Sequence, residues 1–181
     1  MTKSSENVRR MVLCAMFTAL VAVCSQIAVP MPWGVPINLA LFAVYMAGTM
    51  LGPVWGTASQ VVFIALAAIG VPVLANFSGG FDKFVGPTGG FLISFPLMAY
   101  IIGLGVEHRD AFKGAFVTAV IVGTVVNYVV GVAMFVVVAH STIAVGITAC
   151  VLPFIPTAII KAVLACAIGL NLRKRIPGLK A

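Results

Sequence analysis

Charge is what this sequence has least of: 8% of its 181 residues are charged, and four are acids, Glu6, Asp82, Glu107 and Asp110. Globular chains carry about a quarter charged residues, so a water-soluble enzyme is excluded. All four acids fall outside the apolar runs. A proton-driven carrier ordinarily uses an intramembrane carboxylate to move its coupled charge, so proton coupling within this chain is disfavoured. No G-x-x-x-x-G-K-[ST] phosphate cradle occurs, and the cluster Gly86-Pro87-Thr88-Gly89-Gly90 lacks the necessary lysine. The chain has no means of its own to hydrolyse ATP. Cys14, Cys24, Cys150 and Cys166 show no Cys-x-x-Cys spacing, and neither His108 nor His140 has a ligand partner at helical spacing. Small buried hydrophobes are therefore expected at the cysteines, with no metal and no cofactor. Neither a nucleophile–histidine pair nor paired acids can be assembled for an intramembrane hydrolase.

What the chain has is apolar length: 62% hydrophobic residues and a mean hydropathy of +1.18. Helical runs are read over 11–29, 38–51, 54–69, 91–106, 111–139 and 143–172. The second and third are short and separated only by Gly52-Pro53, as in a helix pair joined by a tight turn. The fold class is thus an all-α integral membrane protein, a bundle of about six transmembrane helices. A single membrane domain over 1–181 is expected, with a short cytoplasmic N-terminal tail (1–10) and a basic C-terminal tail (173–181). The formal charge of +7 would suggest nucleic acid in a soluble protein. Here the basic residues flank apolar runs, where they meet lipid headgroups, and no nucleic-acid partner is expected. Nine of the eleven, Lys3, Arg9, Arg10, Arg109, Lys113, Arg173, Lys174, Arg175 and Lys180, fall on one face. That face, with both termini, is expected in the cytoplasm of a bacterial cell, the protein crossing its cytoplasmic (inner) membrane several times. A cleaved signal peptide over the first run is disfavoured, because its removal would leave an odd number of spans and spoil the charge balance.

Lys161 is the most informative residue, since an ionisable group inside a span is costly and marks function by default. Twelve residues separate it from Arg173, about 18 Å at 1.5 Å per residue, which puts it in the outer half of the membrane. Snorkelling to the outer surface is the plain alternative. Ala158, Ala162, Ala165 and Gly169 form a small-residue stripe beside it and turn it toward the bundle. Between the third and fourth helices, the connection 70–90 is rich in glycine and proline but also carries Val73, Leu74, Phe77, Phe81, Phe84 and Val85. It is expected to fold back onto the outer end of the bundle, lining a cavity, with Asn76 offering both a donor and an acceptor. The first outer loop, 30–36, is a second lid candidate, with Trp33 either there or as an interface anchor. Gly48, Gly52 and Gly56, and likewise Ala15 and Ala19, put small residues on one helix face. Asn127 reads as a helix–helix hydrogen bonder ahead of a ligand contact.

Taken together, Gly70-Val71-Pro72-Val73-Leu74-Ala75-Asn76, Ser78-Gly79-Gly80 and Gly86-Pro87-Thr88-Gly89-Gly90-Phe91-Leu92 closely resemble the BioY biotin-transport proteins. Val35-Pro36-Ile37-Asn38, Gly48-xxx-Leu51-Gly52-Pro53 and Pro156-xxxx-Lys161 extend the resemblance over most of the chain. It implies a six-helix substrate-capturing S component of an energy-coupling-factor (ECF) transporter. Such a subunit binds biotin near the outer face and docks on a membrane coupling (T) protein that carries two cytosolic ATPase subunits. The substrate-binding residues the resemblance implies are Asn76 and Lys161, and Ala15 and Ala19 match the motif that meets the coupling protein; Gly79 and Trp33 of the two loops, and Thr157 on the lysine's helix, are further substrate-binding candidates. One position departs: the family's Pro-Gly-Asp-x-x-Lys reads Pro156-Thr157-Ala158-Ile159-Ile160-Lys161 here, with Ala158 where the aspartate belongs. A different small vitamin-like ligand, or a stand-alone biotin facilitator, therefore stays open beside partner-driven biotin uptake.

Overall fold

A computed structural model describes residues 3–29, 31, 35–110 and 114–176. Trp33, most of the first lid candidate, Lys113 and Lys180 lie outside the described residues. The elements are α1 (Lys3–Gln26), a two-strand ribbon of β1 (Ala28–Val29) and β2 (Ile37–Asn38), α2 (Ala40–Ala68), α3 (Asp82–Val85), α4 (Gly89–Ile93), α5 (Phe95–Glu107), α6 (Ala115–Val138), α7 (Ile143–Cys150) and α8 (Ile155–Arg175). Helix α1 starts eight residues before the apolar run. Nothing between Lys3 and Met11 breaks a helix, and Glu6 in its first turn complements the helix dipole. The stretch expected as a tail is therefore helical from Lys3.

Five helices are long and apolar enough to cross a membrane, yet the chain makes six passes, because α2 folds back on itself. Gly52 sits at φ 77°, ψ −172°, a backbone conformation that only glycine adopts freely, and Pro53 opens the second leg. The legs 40–51 and 53–68 touch closely: a Cβ built on Gly56 would stand 3.1 Å from the Ala47 carbonyl oxygen. Residues nine apart in a continuous helix would be roughly 13 Å apart. The three glycines read as one small face consequently serve three ends. Gly48 lets α5 approach at the Ala99 carbonyl, Gly52 makes the turn, and Gly56 lets the legs meet. Between apolar helices in lipid, such close backbone packing carries association that the hydrophobic effect does not.

The run expected as one span over 143–172 is two helices. Pro153 and Pro156 interrupt the backbone ladder, so α7 ends at Cys150 and lies on α6, with Gly146 against Val132 and Val136. Helix α8 then runs antiparallel to α6. The β ribbon was not foreseen in an all-α reading; its pairing of Ala28 with Asn38 and Val29 with Ile37 closes the first loop.

The double leg of α2 is the centre, with α1, α5 and α8 packed on it and the whole stretch from Ala43 to Pro53 buried. The outward faces of α6 and α8 are the reverse of a soluble protein's: Val117, Ile121, Val125 and Val129, and Ile159, Ile160, Val163 and Leu164, are all exposed. Exposed apolar area on this scale belongs against hydrocarbon, so this is a multi-pass membrane protein. Lys161 pairs with Asn38 at one end of the bundle, and Arg173 with Thr49 and Met50 at the other. The start of α1 and the end of α8 share the Arg173 end.

Candidate functional site

At the end of the bundle opposite Arg173 a cavity of about 360 Å³ opens among α1, β2, the 70–90 connection, α4, α6 and α8, within the usual range for a small-molecule site. Its walls are largely apolar, with Leu41, Leu74, Phe91, Leu92, Phe95 and Phe154 contributing. Val35 and Pro36 close one side, as expected of the first loop.

Lys161 reaches this cavity. It is 8% exposed and its Nζ donates to the Asn38 carbonyl at 2.7 Å, so it turns inward and does not snorkel. The stripe next to it behaves as read: Ala158, Ala165 and Gly169 are buried with it, and Gly169 meets Thr49. No carboxylate pairs with Lys161 among the described residues. The ammonium therefore keeps two N–H donors and an uncompensated charge beside the cavity, an arrangement that favours an anionic or strongly accepting ligand group. A second cation in the lining, Lys83, already has a partner in Asp82 at 2.9 Å. Its hydrogen bond holds the exposed Asp82 carboxyl below the usual carboxylate range.

The 70–90 connection folds back as expected. Gly80 N–H donates to the Ala67 carbonyl at 2.7 Å, and Leu74 N–H to the Ser78 carbonyl at 2.9 Å. The turn over Ala75–Phe77 holds Asn76 at φ 58° and Phe77 at φ 52°, left-handed conformations that cost about 1–2 kcal/mol each without glycine. They place Asn76 in the cavity wall with Ala75 and Ser78.

The structure thus brings Asn76 and Lys161 to one cavity. Gly79 sits just behind, against the Val71 backbone, where a side chain would not fit. Thr157 is half-buried and donates to the Phe154 carbonyl at 2.9 Å, outside the lining. Ala15 and Ala19 lie exposed on α1. Asn127 joins helices, donating to Ser94 Oγ at 2.7 Å and to the Phe91 carbonyl at 3.1 Å, and also lines the cavity. Sequence reading missed Tyr128 and Gln26. Neither sits in a motif, although Gln26 is a polar residue closing an apolar run. Behind Tyr128 lies a second, apolar cleft of about 510 Å³ between α6 and α8, and Ala158 is in its wall, not in that of the Lys161 cavity. The four cysteines are free, three of them buried. Among the described residues no group of His, Cys, Asp or Glu is placed to hold a metal.

Residues 1–178 match the model of the BioY family. The chain belongs to the BioY family. A BioY relative named as a biotin transporter, from Thermotoga maritima, is 36% identical over 92% of this chain and 96% of its own length. Another, from Rhodobacter capsulatus, is 35% identical over 86% of this chain and 88% of its own. A crystal structure described as the S component for biotin from an ECF-type ABC transporter superposes with a TM-score of 0.86. It shares 31% identity and covers 96% of this chain and 95% of its own. The fold described here is therefore shared with that biotin S component, and the BioY relatives are named as transporters.

Proposed function

We propose that this protein captures biotin in the Lys161 cavity and serves as the S component of an ATP-driven ECF transporter. The observation that carries the reading is a buried lysine with no acid partner among the described residues, facing a largely apolar cavity. Biotin has a largely apolar fused ring and chain, one ureido group and one carboxylate. Lys161, Asn76 and a few neighbouring polar groups suffice to hold such a molecule. The BioY relatives named as biotin transporters and the biotin S-component structure support the ligand.

In this reading residues 1–181 act as one membrane domain in a bacterial cytoplasmic membrane. The termini and the basic end face the cytoplasm, so the cavity opens outward. A coupling T protein docks on the exposed Ala15 and Ala19 of α1, and two cytosolic ATPase subunits supply the energy. Gly79 acts by letting the connection pack against the Val71 backbone.

Calorimetric titration of biotin into detergent-purified protein, with Lys161→Ala and Asn76→Ala checked for folding, tests this. The expected result is tight binding that each substitution weakens about 10- to 100-fold, the worth of one charge-assisted or buried hydrogen bond. Absence of biotin binding by the native chain would sink it. A different vitamin-like ligand is the second reading, because Ala158 stands where the family pattern has aspartate. Ala158 lies in the wall of the apolar cleft, three residues before Lys161 on the same helix, so the missing acid leaves the Lys161 charge without the pairing an aspartate there could supply. Titration with other vitamins decides between them.

A further inference from the structure

Gln26, the last residue of α1, reaches across to the 70–90 connection and holds it by three backbone groups. Its Nε2 donates to the Leu74 carbonyl at 2.9 Å and, at 3.5 Å, to the Pro72 carbonyl. Its Oε1 accepts from the Phe77 N–H at 2.9 Å. The same Nε2 stands 3.4 Å from the Ala22 carbonyl of its own helix. Carbonyls on one side and an N–H on the other fix which way round the amide lies.

These bonds bracket the strained part of the connection. Leu74 and Phe77 flank Ala75 and Asn76, and Asn76 and Phe77 are the non-glycine residues at φ 58° and 52°. A loop free to relax would leave that region. The bonds internal to the turn, Leu74 N–H to Ser78 and Ser78 Oγ to the Ala75 carbonyl at 2.7 Å, close it on itself but do not attach it to a helix. Gly80 attaches its far side to α2. On the near side, Gln26 makes the attachment to α1, beside the cavity-lining Ser25.

We infer that Gln26 is a positioning residue of the ligand site, clamping residues 74–77 so that Asn76 is already in the cavity wall before ligand arrives. The inference rests on the biotin-binding reading above. No other side chain of this length does the same work: leucine supplies neither bond, and glutamate, when ionised, accepts from Phe77 but repels the Leu74 carbonyl.

The test uses the full-length protein in detergent with Gln26→Leu and Gln26→Glu, read by amide hydrogen exchange without ligand and by biotin binding. In Gln26→Leu the Phe77 amide is expected to exchange at least tenfold faster. Biotin is expected to dissociate at least tenfold faster, with the helices as protected as in the native chain. Gln26→Glu is expected to share the defect at pH 8 and, relative to the native protein at each pH, to recover once the pH falls below the ordinary glutamate pKa of about 4.3. There the protonated acid again donates to Leu74; Gln26→Leu is expected not to recover. Unchanged Phe77 exchange in Gln26→Leu, or a Gln26→Glu defect indifferent to pH, overturns the clamp. Failure of the native chain to bind biotin overturns the functional reading instead, and the exchange of the Phe77 amide still decides on the clamp.

Discussion

Lys161 and Gln26 mark the two ends of what a single residue reveals on its own. A lysine among alanines and isoleucines announces itself, because burying a charge without purpose is expensive; the structure adds only its partner, the Asn38 carbonyl. Gln26 closes an apolar run as many interfacial residues do, and its value lies in contacts some fifty residues away, which no local pattern encodes. Tyr128 is similar. Among the described residues its hydroxyl is buried without a partner, between the cavity and the apolar cleft. A buried hydroxyl left unpaired costs about 1–3 kcal/mol, so Tyr128→Phe is expected to leave the ligand-free melting temperature unchanged or raised. A clear fall in thermal unfolding would show that the hydroxyl has a partner after all.

At the scale of elements, the breaks were harder to read than the helices. Hydropathy marks the long apolar helices, but it is blind to where an apolar stretch changes direction. The Gly52-Pro53 turn was legible because glycine and proline stand together. The break before α8 was missed, because Pro153 and Pro156 lie within an unbroken apolar run that hydropathy alone treats as continuous. Arg173 was grouped with the basic tail, yet it is buried and donates to the Thr49 and Met50 carbonyls at 3.1 and 3.2 Å. There it satisfies carbonyls orphaned where the first leg of α2 stops. The turn also gives a contrast between two glycines. A methyl on Gly103 would overlap the backbone at Gly52 and Pro53, whereas one on Gly70, at φ 94°, meets nothing. Gly103→Ala is expected to unfold the protein or cost several kcal/mol, since the α2–α5 packing must open. Gly70→Ala should cost only the local strain, about 1–2 kcal/mol. Thermal unfolding in detergent separates the two, and equal losses would remove the turn from the centre of the fold.

For the whole molecule, the hairpin of α2 has a bearing on the bilayer itself. Its legs are roughly 18 and 24 Å long at 1.5 Å per residue, against a hydrocarbon core of about 30 Å. The central pair is therefore too short for the membrane that the 24-residue apolar helix α6 crosses with length to spare. Tilting cannot lengthen a short leg, so hydrophobic mismatch is relieved by thinning of the lipid or by polar groups entering from the ends. Arg173 and Glu107 flank Gly52 at one such end. The protein is expected to melt at a higher temperature in bilayers of short-chain lipid than in long-chain lipid of the same headgroup. A melting temperature indifferent to chain length would mean that the surrounding helices shield the short pair completely. If the dependence is found, membrane thickness becomes a variable that sets how securely the binding subunit is seated, independent of any ligand or partner.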